Sequence, residues 1–399
     1  MKGKVSNLKL SLLEATPFVT EKGKFDLNKA MDYCGKIGGI CYNDDGLMAS
    51  FAEKQEATDT RIERTTLGEH QSIYDHVNLG FYVKDSSKML NMVLNNEGQY
   101  NTSERSLRYT TINAETTNLT DREIELYDKW TAIITNLVLQ ECEAQGKKMS
   151  VKAATRIAQE NARYMASVFV NTEMVHTIPL GQLNRIVSYM KNYMNKPNKN
   201  DFEERLSKDF EMFVEQCKDL NVLDERLQSN RKERTLRIFG EDLRGIPNSF
   251  GFAYNITYQG TYAEYAQKER HRIEKSKLER NPANGFYVPE IIKRSPELTK
   301  EWLADIESVA EEVPQGEIVD IFEDGDFDTI VAKLKERACS HAQLEIFEEV
   351  DSLVRKYYEE LEKQNHPYAK KLLPYVGKRK CEFPDYTCNQ PCDKKPRIW

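Results

Sequence analysis

Long apolar runs are missing from this chain. Stretches such as MASVFV (165–170) are far too short to cross a bilayer, which excludes a helical membrane span. The opening residues MKGKVSNLKLSLLEATPF hold no long apolar core ahead of Glu14 and Pro17, so no targeting segment is expected and the expected compartment is the cytoplasm. An excess of basic charge is missing too. With 57 Lys and Arg against 64 Asp and Glu the net charge is −7, so no global field favours nucleic acid, although local arginines can still hold a phosphorylated small molecule. Paired cysteines are absent from most of the chain: Cys34, Cys41, Cys142, Cys217 and Cys339 stand singly, which excludes the disulfide framework of a small secreted domain. In the tail, Cys381, Cys388 and Cys392 have C-x6-C-x3-C spacing, but a fourth ligand is lacking and no metal is expected. No G-x-G-x-x-G follows a strand, which counts against an ordinary dinucleotide-binding Rossmann site.

What remains is an ordinary globular composition, 39% hydrophobic and 30% charged over 399 residues, with room for two or three domains. Short apolar strands alternate with helical stretches from Lys9 onward: KLSLLEA reads as a strand, FDLNKAMDYCGKIGGICY as a helix with a Gly-rich exit, and VNLGFYVK (77–84) as a strand followed by the helical KMLNMVLNN. Thr120 opens a capping box, T-D-R-E, ahead of a long apolar stripe. A further helix is expected from about Ser150 to Val170, and another over residues 201–218. After a charged stretch the order of events repeats: the alternating SFGFAYNITYQGTY, a helix running into Arg270-His271-Arg272, a charged helix from Pro296 to about Val313, and a long helix capped by Asp326 with no break before Asn365. The fold class is α+β, with a mixed sheet and long helices. The expected organisation is a tandem duplication, with residues 1–225 as the first repeat, 226–375 as the second and 376–399 as a Cys-containing tail.

Three segments carry the candidate chemistry. QYNTSERSLRYT (99–110) presents Glu104, Ser106, Arg108 and Tyr109 in an extended stretch. EYAQKERHR places Gln267 one turn before two guanidiniums and an imidazole, a set suited to phosphate or a flavin ring, although a solvated charged face has the same composition. KERACSHAQLEI (335–346) has Arg337, His341 and Glu345 at i, i+4 and i+8, so they share one face of a helix; a salt-bridge ladder is the plainer account.

Together these segments resemble the flavin-dependent thymidylate synthases. Ser103, Glu104, Ser106, Arg108 and Tyr109 fit the end of that family's R-H-R-x-x-S-x-N-E-x-S-x-R-Y signature, whereas Asn96, Glu97 and Gly98 stand where R-H-R is due. LGEHQSIYDHVNLGFYVK resembles the family's G-H-x-S-x-x-E-H and following strand, bringing His70 and His76 into place, and Ala162-Arg163 resembles its A-R-x-x-L-P. Met190 stands where the family's catalytic arginine is due in the first half, while in the second half KERACSHAQLEI supplies it as Arg337, with His341, Gln343 and Glu345 in register. Each half thus keeps what the other has lost. The resemblance implies reductive methylation of dUMP to dTMP by FAD, NADPH and methylenetetrahydrofolate. The dUMP site would comprise Glu104, Ser106, Arg108, Arg163, Gln267 and Arg337, with Arg337 and Ser106 as the catalytic pair, Ser106 acting by binding. His76, Arg270, His271, Arg272 and His341 would contact FAD. Since family sites form between subunits of a homotetramer, the resemblance also implies a homodimer of fused pairs that imitates it. A binding protein of the same fold, inactive or turned to another pyrimidine nucleotide, is the alternative.

Overall fold

The computed structural model describes residues 7–68, 70–108, 110–112, 115, 117–231, 233–239, 245–269 and 274–388. In chain order the elements begin with β1 (Lys9–Leu12), α1 (Leu27–Gly38), α2 (Gly46–Ala52), α3 (Gln55–Leu67), β2 (Asn78–Ser87), α4 (Lys88–Asn96) and β3 (Asn101–Glu104). There follow α5 (Asp121–Ala144), α6 (Val151–Ala162), β4 (Asn171–Pro179), α7 (Leu180–Met194) and α8 (Asp201–Asp219). The second half contributes β5 (Ser249–Phe250), β6 (Ala253–Thr261), α9 (Tyr262–Lys268), β7 (Lys275–Arg280), α10 (Glu290–Lys293) and α11 (Pro296–Glu307). Last come β8 (Ile318–Asp326), α12 (Phe327–Arg337), α13 (Leu344–Lys363) and α14 (Tyr368–Leu372).

The α+β class holds, but in place of one mixed sheet there are two four-stranded sheets whose strands pair antiparallel, in the orders β1-β2-β4-β3 and β5-β6-β8-β7. The two orders are the same topology. In both sheets the two inner strands run straight into helices, and the residue at the junction supplies the cap. Ser87 Oγ accepts from Leu90 N at the start of α4 (3.0 Å), Thr261 Oγ1 from Glu264 N at α9 (3.0 Å), and Asp326 Oδ1 from Thr329 N at α12 (2.9 Å). Pro179, which has no donor to lose, occupies the corresponding junction before α7.

By compactness the described chain forms two units of two segments each. The first-sheet unit holds the residues up to Arg105 and those from Phe169 to Leu236; the second-sheet unit holds Ser106 to Val168 and the residues from Arg237 onward. This division by compactness differs from a division into repeats at 225/226. In the second-sheet unit, α5 starts at the expected capping box, where Thr120 and Glu123 each accept from the other's backbone N–H. It packs on α6, α10 and α11 through Trp130 and Trp302, fully buried and edge to face with centroids 4.9 Å apart. A second apolar cluster joins Tyr254 and Ile256 of β6 to Ile330, Leu334, Ile346, Val350, Val354 and Tyr357 of α12 and α13.

Three expected helices are shorter than their sequence periodicity. The helix from Ser150 stops at Ala162, because the backbone beyond it is taken by other partners: Ser167 N donates to Glu123 Oε1 (2.7 Å), Ser167 bridges Pro314, and Ala166 O accepts from Gln315 N (2.8 Å). The helix from Asp326 is not continuous to Asn365. It breaks between Arg337 and Leu344, so Arg337, His341 and Glu345 do not share one helical face. The charged helix from Pro296 ends at Glu307, and Val313 adopts a left-handed φ of 57°. Among the described residues no helix is long and apolar enough to cross a membrane.

In the first-sheet unit, the core-facing row of β4 reads Thr172, Met174, His176, Ile178. His176 is 2% exposed, stacked on Tyr100, and neither ring nitrogen has a partner, so burial depresses its pKa to about 4. The folded state therefore binds fewer protons at this site than the unfolded chain between about pH 6.5 and 4. Stability from this group is full above pH 6.5 and is lost as pH falls through that window, by on the order of 3 kcal/mol. The His176→Phe variant is expected to lose that part of the acid dependence, measured as melting temperature against pH from 7 down to 4 for variant and wild type.

Candidate functional site

The short 3-10 turn after α6 sends Arg163 and Tyr164 into the interior of the second-sheet unit. Arg163 is 4% exposed. Its Nη2 donates to Gln343 Oε1 (2.5 Å) and to the carbonyl of Ala263 (3.5 Å), its Nε has no partner, and it makes no ion pair with a described carboxylate. Burial lowers the Arg163 pKa, an effect only partly opposed by the more distant Glu160 and Glu345. A guanidinium left in this state is a buried cation without its anion.

Gln343 and Gln267 complete the cluster. Gln343 caps α13 from the break after α12, and its Oε1 also accepts from Gln267 Nε2 (2.5 Å) while its own amide donates to Tyr164 Oη. Tyr164 Oη donates to Glu345 Oε2 (2.5 Å), and Glu345 also accepts from Thr261 N (3.1 Å) and Thr261 Oγ1 (3.0 Å). Burial, aided by the neighbouring Glu345 charge, drives the Tyr164 pKa well above the ordinary range, so the phenol stays a donor. Gln267 Oε1 has no partner. An unused donor on Arg163 and an unused acceptor on Gln267 thus lie on either side of one glutamine.

Arg108 and Arg337 approach the same elements. Arg108, buried, directs Nη2 to both carboxylate oxygens of Glu160 (3.2 Å each) and to the carbonyl of His341 (3.0 Å). Arg337, the last residue of α12, donates from Nη2 to the carbonyl of Gln267 (2.6 Å). His341 offers its carbonyl to this arrangement, while its side chain is in an exposed residue. Ser106 Oγ accepts from Arg108 N (3.3 Å) and the Ser106 carbonyl accepts from Thr110; neither described partner is a base that would activate a nucleophile.

Other expected site residues lie elsewhere. Glu104, in the first-sheet unit, is held by Lys88 Nζ (2.7 Å) and Asn91 Nδ2 (3.1 Å), with 1% of its side chain exposed. His76 closes a 3-10 turn of that unit and is exposed, as is His70. Arg270, His271, Arg272, Tyr109 and Cys392 lie outside the described residues. Among those described, no group of three His, Cys, Asp or Glu side chains could hold a metal ion. Sequence reasoning missed Tyr164, whose only signal was its place beside Arg163, and Glu160, one turn before it in α6.

These contacts separate a structural arginine from a binding one. Replacing Arg163 with Met leaves Gln343 Oε1 and the Ala263 carbonyl their Gln267 donor, at 2.5 and 3.2 Å, so thermal unfolding should show unchanged or slightly raised stability. Lys333→Met serves as the contrast, since it strips a buried carboxylate, Glu323, of one of its two lysines. Its loss should cost on the order of 3 kcal/mol in the same measurement.

Residues 27–198 match the family model described as thymidylate synthase complementing protein. No curated protein matches the chain. Among solved structures, the chain is similar to the UMP/dUMP methylase PolB from Streptomyces cacaoi bound with 5-Br dUMP, with 14% identity, 56% of this chain and 94% of that one covered, and a TM-score of 0.32. It is similar also to Thymidylate Synthase X from Helicobacter pylori with FAD and dUMP, at 14% identity, 56% and 100% coverage, and a TM-score of 0.30. The matched segment, residues 27–198, is similar to the thymidylate synthase complementing protein family.

Proposed function

We propose that this protein is a flavin-dependent thymidylate synthase that methylates dUMP to dTMP with methylenetetrahydrofolate, FAD and NADPH. The observation that supports it best is Arg163: a buried guanidinium with no carboxylate partner, next to a glutamine with an unused acceptor. A phosphate supplies the missing anion, and a pyrimidine ring supplies an N–H for Gln267 Oε1. Arg108 and Arg337, tied through backbone carbonyls to the segments that carry Gln343 and Gln267, would hold the remainder of the nucleotide. Ser106 would bind and position, and Arg337 would polarise the uracil.

The family's flavin supplies the hydride when bound. Of the residues proposed to hold it, His76 and His341 are exposed, and Arg270, His271 and Arg272 lie outside the described residues. The shared topology of the two sheets supports a tandem duplication with its boundary near residue 225; a homodimer that imitates a tetramer, in the cytoplasm, completes the proposal. Retention of nucleotide binding without the reaction is the second reading, favoured by Pro179 and Asp326 at positions where the family has asparagines that would help hold flavin.

The test is an anaerobic assay of NADPH oxidation and dTMP formation with FAD, dUMP and methylenetetrahydrofolate. Wild type should be yellow, release FAD and form dTMP. Arg163→Met, Ser106→Ala and Arg270→Ala should each lower kcat/KM, Arg163→Met by about 100-fold without loss of melting temperature. Binding of dUMP without dTMP formation would leave the retasked protein as the correct assignment, and absence of dUMP binding would remove both.

A further inference from the structure

A cavity of about 470 Å³ in the second-sheet unit takes no part in the proposed nucleotide site. It lies between β6 and α13, and its walls carry Tyr258, Glu264, Tyr287, Glu345 and Glu349 together with one cation, Lys356. Glu264, on the first turn of α9, is 0% exposed, and neither of its carboxylate oxygens has a hydrogen-bond partner. The position is made possible by Gly260: a Cβ there would lie 2.6 Å from Glu264 Oε2.

The cations nearest this carboxylate are committed to other groups. Lys268 Nζ bonds Glu323 and the Tyr258 hydroxyl, while Lys333 Nζ lies 2.7 Å from Glu323, 3.5 Å from Glu349 and 3.8 Å from Glu274. Two lysines therefore serve three buried carboxylates, Glu264, Glu274 and Glu323, and the half-buried Glu349. Burial first, and the Glu349 charge second, raise the Glu264 pKa well above the usual carboxylate range. A carboxylate in that position is stabilised by a proton or by a cation delivered to it.

We propose that this cavity binds a small organic cation carrying two adjacent N–H donors, an amidinium or guanidinium, with Glu264 as its acceptor. Two unused oxygens on one carboxylate match two parallel N–H groups. Tyr258 and Tyr287 are also among the lining residues, and their rings already carry Lys268 and Lys293 at 4.6 and 5.5 Å from the centroids. A bare metal ion suits the cavity poorly, since no group of three metal-ligating side chains occurs among the described residues. Glu345 is a shared wall: it borders the cavity and also accepts the Tyr164 hydroxyl that orders Gln343.

Benzamidine and its neutral relative benzamide test this by isothermal titration against wild type and Glu264→Gln. Wild type should bind benzamidine at least about tenfold more tightly than benzamide. The Glu264→Gln variant should lose that preference. Equal binding of the two probes by wild type, or no benzamidine binding at millimolar concentration, overturns the proposal whether or not the variant folds. So does a Glu264→Gln protein that keeps the full preference.

Discussion

The polar interior of the second-sheet unit is arranged around the side-chain amide of Gln343. Its oxygen accepts two donors, Arg163 and Gln267, and its nitrogen donates to Tyr164, which hands the connection on to Glu345 and the cap of α9 at Thr261. No ionised side chain can fill this role, because a carboxylate has no donor for Tyr164 and an ammonium has no acceptor for Arg163. The amide also has only one workable orientation, since turning it over would set its NH2 against the guanidinium. Segments far apart in the chain, at residues 163–164, 261–267 and 343–345, are thereby held in one register.

The sequence shows those segments without showing how they are joined. Strand alternation, the Thr120 capping box and the Asp326 cap were legible because they depend on neighbours within four residues. The break after Arg337 was not, because no Gly or Pro marks it. It is set by partners across the unit: Gln343 leaves the helical path to meet Arg163, and the His341 carbonyl is taken by Arg108. The same holds for Glu104, whose partners Lys88 and Asn91 lie on α4 and not on its own strand. Arg163, Gln267 and Gln343 could be picked out as a set only through resemblance to a family, since nothing in their spacing brings them together.

Charge in this unit is buried at some cost and balanced locally. Glu323 occupies a core-facing position of β8, in the row of Val319 and Ile321, where burial alone would push its pKa up; Lys268 and Lys333 outweigh burial and hold it below the usual carboxylate range. Glu274, which lacks a hydrogen-bond partner, is pushed up to about 8 by burial and by the Glu323 charge. Replacing such a group by an apolar residue of similar size is often neutral or stabilising, so stability alone does not account for a carboxylate excess in the interior.

The pairing of Trp130 with Trp302 carries a consequence for synthesis on the ribosome. Helices α5 and α6 leave the exit tunnel long before α10 and α11, which cover their apolar face. At roughly 5–20 residues per second, the interval between the two tryptophans is about ten seconds or more. Throughout it, the Trp130 stripe of α5 is an open hydrophobic surface on a nascent chain, and co-translational yield depends on what shields that stripe until Trp302 arrives.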